Sequence, residues 1–450
     1  MASSKLCVGL VLASGLVVSS LVSACSSKVE DIKPGPAAGG TMTTPHGGAT
    51  GTAGSTSTSG AGGASGGSGG AATAGAAGAG MGVPPVDGHC VPSAVKHAAD
   101  GLCYCQPSSL TMCTDGCGDF PTDPDHCGNC TTKCEAAQAC TAGKCTASPK
   151  LLAPVAAGCG SMVLTVAAGT VYWTDKMHGT VNSVAAAGGT PKAIVTAQMA
   201  PTQIAVNAAG TALYWIASGT KQIMTSPIAG GTATAVIPAQ AGDVNGFTLD
   251  GTSLYFSTGK TINKTPAAGG GAITEVGHEE KGIPHALAVA GDLIVYPAEV
   301  TGDIDVMKMV DGTPASCASP DSAVPNTNCD RLAKSQGNLF DNAIYVIEGN
   351  AYWLNGNQVT GNPVVNPTGV NDIIAQLTSA NGMNGTALTI LNKVAYFTDD
   401  AGYVYKAPLM KNAPVTTLAR AQMKPTSIAA DDANLYWTNG DCSIVALPLK

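Results

Sequence analysis

From about Pro149 onward, apolar and polar positions alternate in short runs of four to six residues that end on glycine turns. Segments such as "QIAVN", "FTLDG", "LAVAG" and "SIAAD" alternate with a period of two. An aromatic strand follows each of them after two to five residues. A third strand carries proline and ends in a turn, as in "VAAAGG", "SPIAGG" and "TPAAGG". A fourth is apolar and often closes on glutamine: "AIVTAQ", "TAVIPAQ", "RLAKSQ" and "TLARAQ". Period-two alternation bounded by glycine predicts strand throughout, hence an all-β fold.

These four strands recur as a unit. The aromatic strand appears as "TVYWTD" (170–175), "ALYWIA" (212–217), "SLYFST" (253–258), "DLIVYP" (292–297), "NAYWLN" (350–355), "VAYFTD" (394–399) and "NLYWTN" (434–439). All four tryptophans, Trp173, Trp215, Trp353 and Trp437, hold one place in it. Tyr172 and Tyr436 are 264 residues and six intervals apart, or 44 per interval. That period, with four short strands, predicts a seven-bladed β-propeller over 148–450.

The last repeat stops at its third strand, "VALPLK" (445–450). The missing fourth strand has a counterpart ahead of the first repeat. "SPKLLAP" (148–154) resembles the fourth-strand segment "TPKAIVT" (190–196). Strand 148–154 is therefore expected to complete the last blade and close the ring, removing an open edge. Closure puts Cys159 and Cys442 on one rim at the seam, which predicts a disulfide between them. By loop entropy it is worth on the order of 5 kcal/mol. Cys317 and Cys329 bracket an insertion in the fourth repeat and are expected to staple it.

The aromatic repeats resemble the YWTD propellers of the low-density lipoprotein receptor type, over roughly residues 149–450. Tyr172–Asp175 is the one full match, and Tyr436–Asn439 comes next. The family has six blades where seven are counted here. None of its partner-binding residues has a counterpart in this chain.

Upstream of the repeats, three further regions differ in composition. Residues 1–24 read as an export signal, with Lys5 followed by an apolar run from Leu6 to Ala24. The sequence Val22-Ser23-Ala24-Cys25 resembles the lipobox of bacterial lipoproteins, which implies lipidation of Cys25 and a membrane partner through that anchor. An uncleaved membrane span is the alternative. Ser26 does not resemble an inner-membrane retention signal, so an outer-membrane or cell-surface location is expected. Residues 25–88, rich in Gly, Ala, Ser and Thr, cannot build a core and are expected to form a disordered tether with a reach of roughly 45 Å. Residues 89–147 hold ten cysteines: Cys90, Cys103, Cys105, Cys113, Cys117, Cys127, Cys130, Cys134, Cys140 and Cys145. With Tyr104 and Phe120 its only aromatics, this module needs covalent staples, and export makes disulfides the natural ones. Their pairing cannot be read from spacing. Cys127 and Cys130, beside His126, also have zinc-ligand spacing, but zinc needs thiolates that an oxidising compartment removes. The module resembles the short cysteine-rich units of bacterial surface lipoproteins, notably myxobacterial ones.

A net charge of −8 with 12% charged residues gives no basic surface for nucleic acid. Outside the Gly/Ser-rich tether, where no rigid shell could position a nucleophile, no Gly-x-Ser-x-Gly string occurs; phosphate-loop and zinc-protease signatures are absent, and no cofactor motif occurs. One cluster could carry chemistry. "GHEEKGIPH" holds His278, Glu279, Glu280 and His285, and His178 in "DKMHG" maps to the same rim. Imidazoles and carboxylates together could hold a metal or exchange protons, as in propeller lyases and lactonases. A solvated polar loop is the plainer reading. Asp123 and Asp125 fit a calcium site or a turn. The expectation is a monomeric, non-enzymatic surface lipoprotein that recognises a protein or glycan through rim loops. The alternatives are a metal-dependent lyase or hydrolase and a passive envelope scaffold.

Overall fold

The computed structural model describes residues 94–96, 103–105, 108–154, 158–309, 314–317, 328–334, 336, 343–367, 371–377 and 384–449. The signal, Cys25, the tether and Cys90 lie outside them.

Seven antiparallel sheets make the propeller, and no helix occurs among the described residues. In the first blade the strands run Met162–Ala167, Thr170–Asp175, Thr180–Ala185 and Lys192–Val195. The first strands of neighbouring blades lie side by side around the axis, and the fourth strands form the outer edge. The second strand of each blade is buried on both faces, because it is sandwiched between two sheets. Its aromatic pair therefore serves two junctions. Trp173 packs toward the last blade, in a cluster with Tyr436 and Ile444. Tyr172 packs toward the second blade, beside Trp215. The same division recurs around the ring, so the core is seven clusters, one per junction.

The ring closes as expected. Ser427–Ala430, Asn434–Thr438 and Ile444–Pro448 are joined by Lys150–Ala153 as the outer strand of the seventh blade. Leu151 faces Val445 and Ala153 faces Ile444 in antiparallel register. Cys159 and Cys442 are disulfide-bonded across 283 residues. Side chains also cross junctions to satisfy inner-strand backbone groups: Leu164 N donates to Ser427 Oγ (3.1 Å), and Gln203 donates to Phe247 O while accepting from Phe247 N.

The insertion of the fourth repeat does more than loop out. Ala315–Cys317 crosses to the third blade and pairs in parallel with its outer strand, Thr274–Glu279, before Cys317 joins Cys329. The third sheet thus has five strands.

In the cysteine-rich module the pairs interleave: Cys105–Cys117, Cys113–Cys130, Cys127–Cys140 and Cys134–Cys145. Cys103 is disulfide-bonded as well. The one group of three potential ligands found among the described residues, Cys127, Cys134 and Cys145, is made of these disulfide sulfurs, which cannot serve as thiolates. His126, offered above as a zinc neighbour, instead clamps the module: Nδ1 meets Asp123 Oδ2 (2.7 Å) and Nε2 meets Asp115 Oδ1 (2.9 Å). These two hydrogen bonds raise its pKa above the ordinary histidine range. Asp123 Oδ1 accepts from Asp125 N (2.8 Å), a turn rather than a calcium cradle. The module docks on the sixth blade, with Gln138 bridging Ala419 and Thr141 Oγ1 donating to Thr417 O (3.0 Å). It covers an outer strand, Thr416–Ala419, that would otherwise expose its edge.

Candidate functional site

The rim that carries the outer-to-inner connections and the turns between second and third strands holds every histidine of the propeller. The connections share one construction. The backbone N–H of Gln198, Gln240, Glu279, Gln336, Leu377 and Gln422 donates to the carbonyl that opens a third strand, at Gly179, Lys221, Lys260, Gly302, Asn357 and Gly402. The approach is so close that glycine is required at two of these acceptors. A Cβ on Gly179 would stand 2.4 Å from Gln198 O, and one on Gly402 would stand 2.1 Å from Gln422 O.

The side chains at these positions are matched to the ring they meet. Trp215 Nε1 donates to Gln198 Oε1 (3.1 Å), Trp353 Nε1 to Gln336 Oε1 (3.3 Å) and Trp437 Nε1 to Gln422 Oε1 (3.1 Å). Each of these glutamines donates its own amide to the carbonyl two residues back, as does Gln240. Phe397 has no donor, and the apolar Leu377 packs in its cluster. In the fourth blade Tyr296 takes the tryptophan place, and its hydroxyl donates to Glu279 Oε2 (3.0 Å). The glutamines that close the fourth strands were visible in the sequence, but their role as indole acceptors was not. Their spacing to the tryptophans was the available signal.

Glu279 is therefore a buried cap. Its Oε1 accepts from Lys281 N (3.0 Å) and Gly282 N (3.3 Å). The other members of the cluster are also committed separately. His178 Nδ1 meets Asp175 Oδ2 (2.7 Å), and Asp175 also accepts from the backbone of Met177 and His178. His285 Nε2 meets Glu299 Oε2 (2.7 Å). His278, within the outer strand of the third blade rather than in a loop, lies 3.8 Å from Glu275. Glu280 Oε1 accepts from Ser316 Oγ (3.0 Å). Three histidines on three blades, each with a carboxylate of its own blade, do not form a shared centre.

Beneath this rim, between the third and fourth blades, lies an acidic pocket of side chains. Asp303 Oδ2 pairs with Arg331 Nη2 (2.8 Å). Asp305 is 3% exposed, and its Oδ1 has no hydrogen-bond partner among the described residues. Burial, reinforced by the charges of Glu279 and Asp303, pushes its pKa up to about 8. Burial likewise holds the Tyr296 phenol well above its usual value.

Among the exposed charged residues of this rim, such as Lys176, Lys424 and Asp441, stand three exposed methionines. Met177, Met199 and Met423 are 69%, 58% and 60% exposed, on the first blade, the first-to-second connection and the sixth-to-seventh connection. Met177 lies against Gly160 and Met423 against Gly440, in the segments that carry the seam disulfide, and Met199 follows at the next connection. Trp173 is the exception to the capping pattern: among the described residues no glutamine reaches it and its Nε1 has no partner, and Cys159–Cys442 lies in this connection.

No family model and no curated protein matches this chain. Solved structures do. A streptogramin B lyase superposes with a TM-score of 0.54 at 16% identity, over 68% of this chain and 98% of that one. A catalytically inactive virginiamycin B lyase from Staphylococcus aureus with quinupristin gives 0.53 at 12% identity, over 67% and 99%. A selenomethionine form of the Staphylococcus aureus enzyme gives 0.50 at 13%, over 64% and 94%. At such identities the likeness is one of fold, and what this chain shares with these enzymes is the β-propeller.

Proposed function

We propose that this chain is a non-enzymatic recognition protein of the YWTD type, lipidated at Cys25, tethered by residues 25–88 at the outer membrane or cell surface, and binding a protein partner through the rim around the seam. The observation that carries the reading is the run of exposed methionines Met423, Met177 and Met199 on one rim of consecutive blades. Methionine is flexible and polarisable, which suits a contact surface that adapts to its partner. The histidines beside it support the same reading, since each is held by its own carboxylate.

A photocrosslinking residue at Met199 or Met423, in the full chain on intact cells, tests this. One discrete adduct from these positions, and none from Ala209 or Asp432 on the opposite rim, is expected. Equal labelling of both rims refutes the reading. So does a stoichiometric divalent ion bound through His178, His278 and His285 with accompanying turnover.

A further inference from the structure

The seam between the cysteine-rich module and the sixth blade encloses a cleft of ≈ 290 Å³, lined among others by Thr122, Thr141, Tyr403, Thr416, Thr417 and Arg420. Arg420 is the single cationic side chain in that lining. Its backbone N–H donates to Ala137 O (3.2 Å) and its Nε to Gln138 O (2.6 Å). These bonds fix the plane of the guanidinium and leave its two terminal nitrogens without a hydrogen bond or ion pair among the described residues. Asp125, close enough for its pKa to be lowered partly by Arg420, is paired with Lys133 at 2.9 Å.

The rest of the lining mixes hydroxyl side chains with small apolar ones such as Ala142 and Val415. The hydroxyls of Tyr403, Thr416 and Thr417 make no hydrogen bond among the described residues. The Tyr403 ring stacks on Tyr405 with centroids 5.9 Å apart, and Tyr405 stacks on Phe397 at 5.4 Å. Phe397 is fully buried, so this tier of rings is rooted in the blade core. A peptide cannot add to the outer strand here, because the module already occupies its edge through Gln138 and Ala419. The volume lies at the low end for ligand sites, which suits one small polar molecule.

A fixed guanidinium with a free edge takes a carboxylate by two parallel hydrogen bonds. An aromatic ring offers a face to the C–H side of a sugar, and spare hydroxyls meet its hydroxyl groups. We propose that this cleft binds an acidic monosaccharide unit, with its carboxylate on Arg420 and its ring against Tyr403. Arg420 and Tyr403 stand at the edge of the same rim as Met423, but the proposal is argued from the cleft alone and does not depend on the methionine reading.

The test is titration of the full chain with D-glucuronate, D-glucose and inorganic sulfate, followed by ligand-observed NMR. Saturable binding of glucuronate is expected, with glucose weaker by about tenfold or more. Arg420→Gln and Tyr403→Leu should each weaken glucuronate by about tenfold or more. Arg420 also ties the module to the blade, whereas Tyr403→Leu leaves that tie in place. Loss of binding in Tyr403→Leu with the Arg420–Gln138 contact retained by protein NMR therefore isolates the site. Absence of glucuronate binding, or binding unchanged in both variants, overturns the proposal. Sulfate that binds as tightly as glucuronate and displaces it overturns the sugar assignment.

Discussion

Asp305→Asn should stabilise this protein, and increasingly so as pH rises. Asp305 is buried between the third and fourth blades among Glu279, Asp303, Tyr296 and Arg331, of which Arg331 alone is cationic and is already paired with Asp303. Its folded pKa of about 8 stands above the ordinary value of 3.8. The folded state thus holds a proton that the unfolded chain has released across that interval, and stability falls with rising pH between those limits. At about 1.4 kcal/mol per pH unit, the cost of Asp305 is about 2 kcal/mol at pH 5 and on the order of 6 kcal/mol at pH 8.5. Asparagine has the shape of the neutral acid and no charge to desolvate. Guanidinium unfolding with disulfides intact, followed by tryptophan fluorescence at both pH values, reads the difference between variant and wild type. The gain should grow by on the order of 4 kcal/mol from pH 5 to pH 8.5. A gain that stays flat across that range, or a variant less stable than wild type at pH 8.5, would mean that Arg331 keeps Asp305 ionised, and the reasoning fails.

Gln422→Leu strands a buried indole N–H and should cost about 1–3 kcal/mol, whereas Gln240→Leu, at the equivalent position ahead of a blade whose tryptophan place holds the donor-free Phe256, should cost less than half as much; paired denaturation curves decide. Replacing both Cys159 and Cys442 by serine removes a crosslink spanning 283 residues and should cost about 5 kcal/mol, read as a fall in the denaturation midpoint; a loss under about 1 kcal/mol would show that strand exchange alone holds the seam. His126 should titrate above the ordinary histidine range by NMR, because Asp123 and Asp115 stabilise its charged form. Its contribution to the module is complete below the unfolded pKa of about 6.5 and is lost as pH rises through the raised folded value, and His126→Asn should abolish that dependence.

The sequence alone determined the blade count, the strand order within each repeat, the exchange of strand 148–154 into the last blade and the pairing of Cys159 with Cys442. All of these rest on a signal that is local and repeated: a two-residue alternation, an aromatic pair every 44 residues or so, and a short segment that resembles its own counterparts. Only the tertiary structure decided which side chains meet across blades. Glu279 looked like a metal ligand beside His278, but lies where other connections carry glutamine and caps Tyr296. His178, His278 and His285 share a rim in the repeat map, yet three different blades hold them apart. The return of Ala315–Cys317 to the third sheet and the docking of Arg420 on Gln138 leave no periodic trace either. Periodicity records which face of a strand is buried; it carries no information on which neighbour fills that face, because such contacts join positions at no fixed separation along the chain.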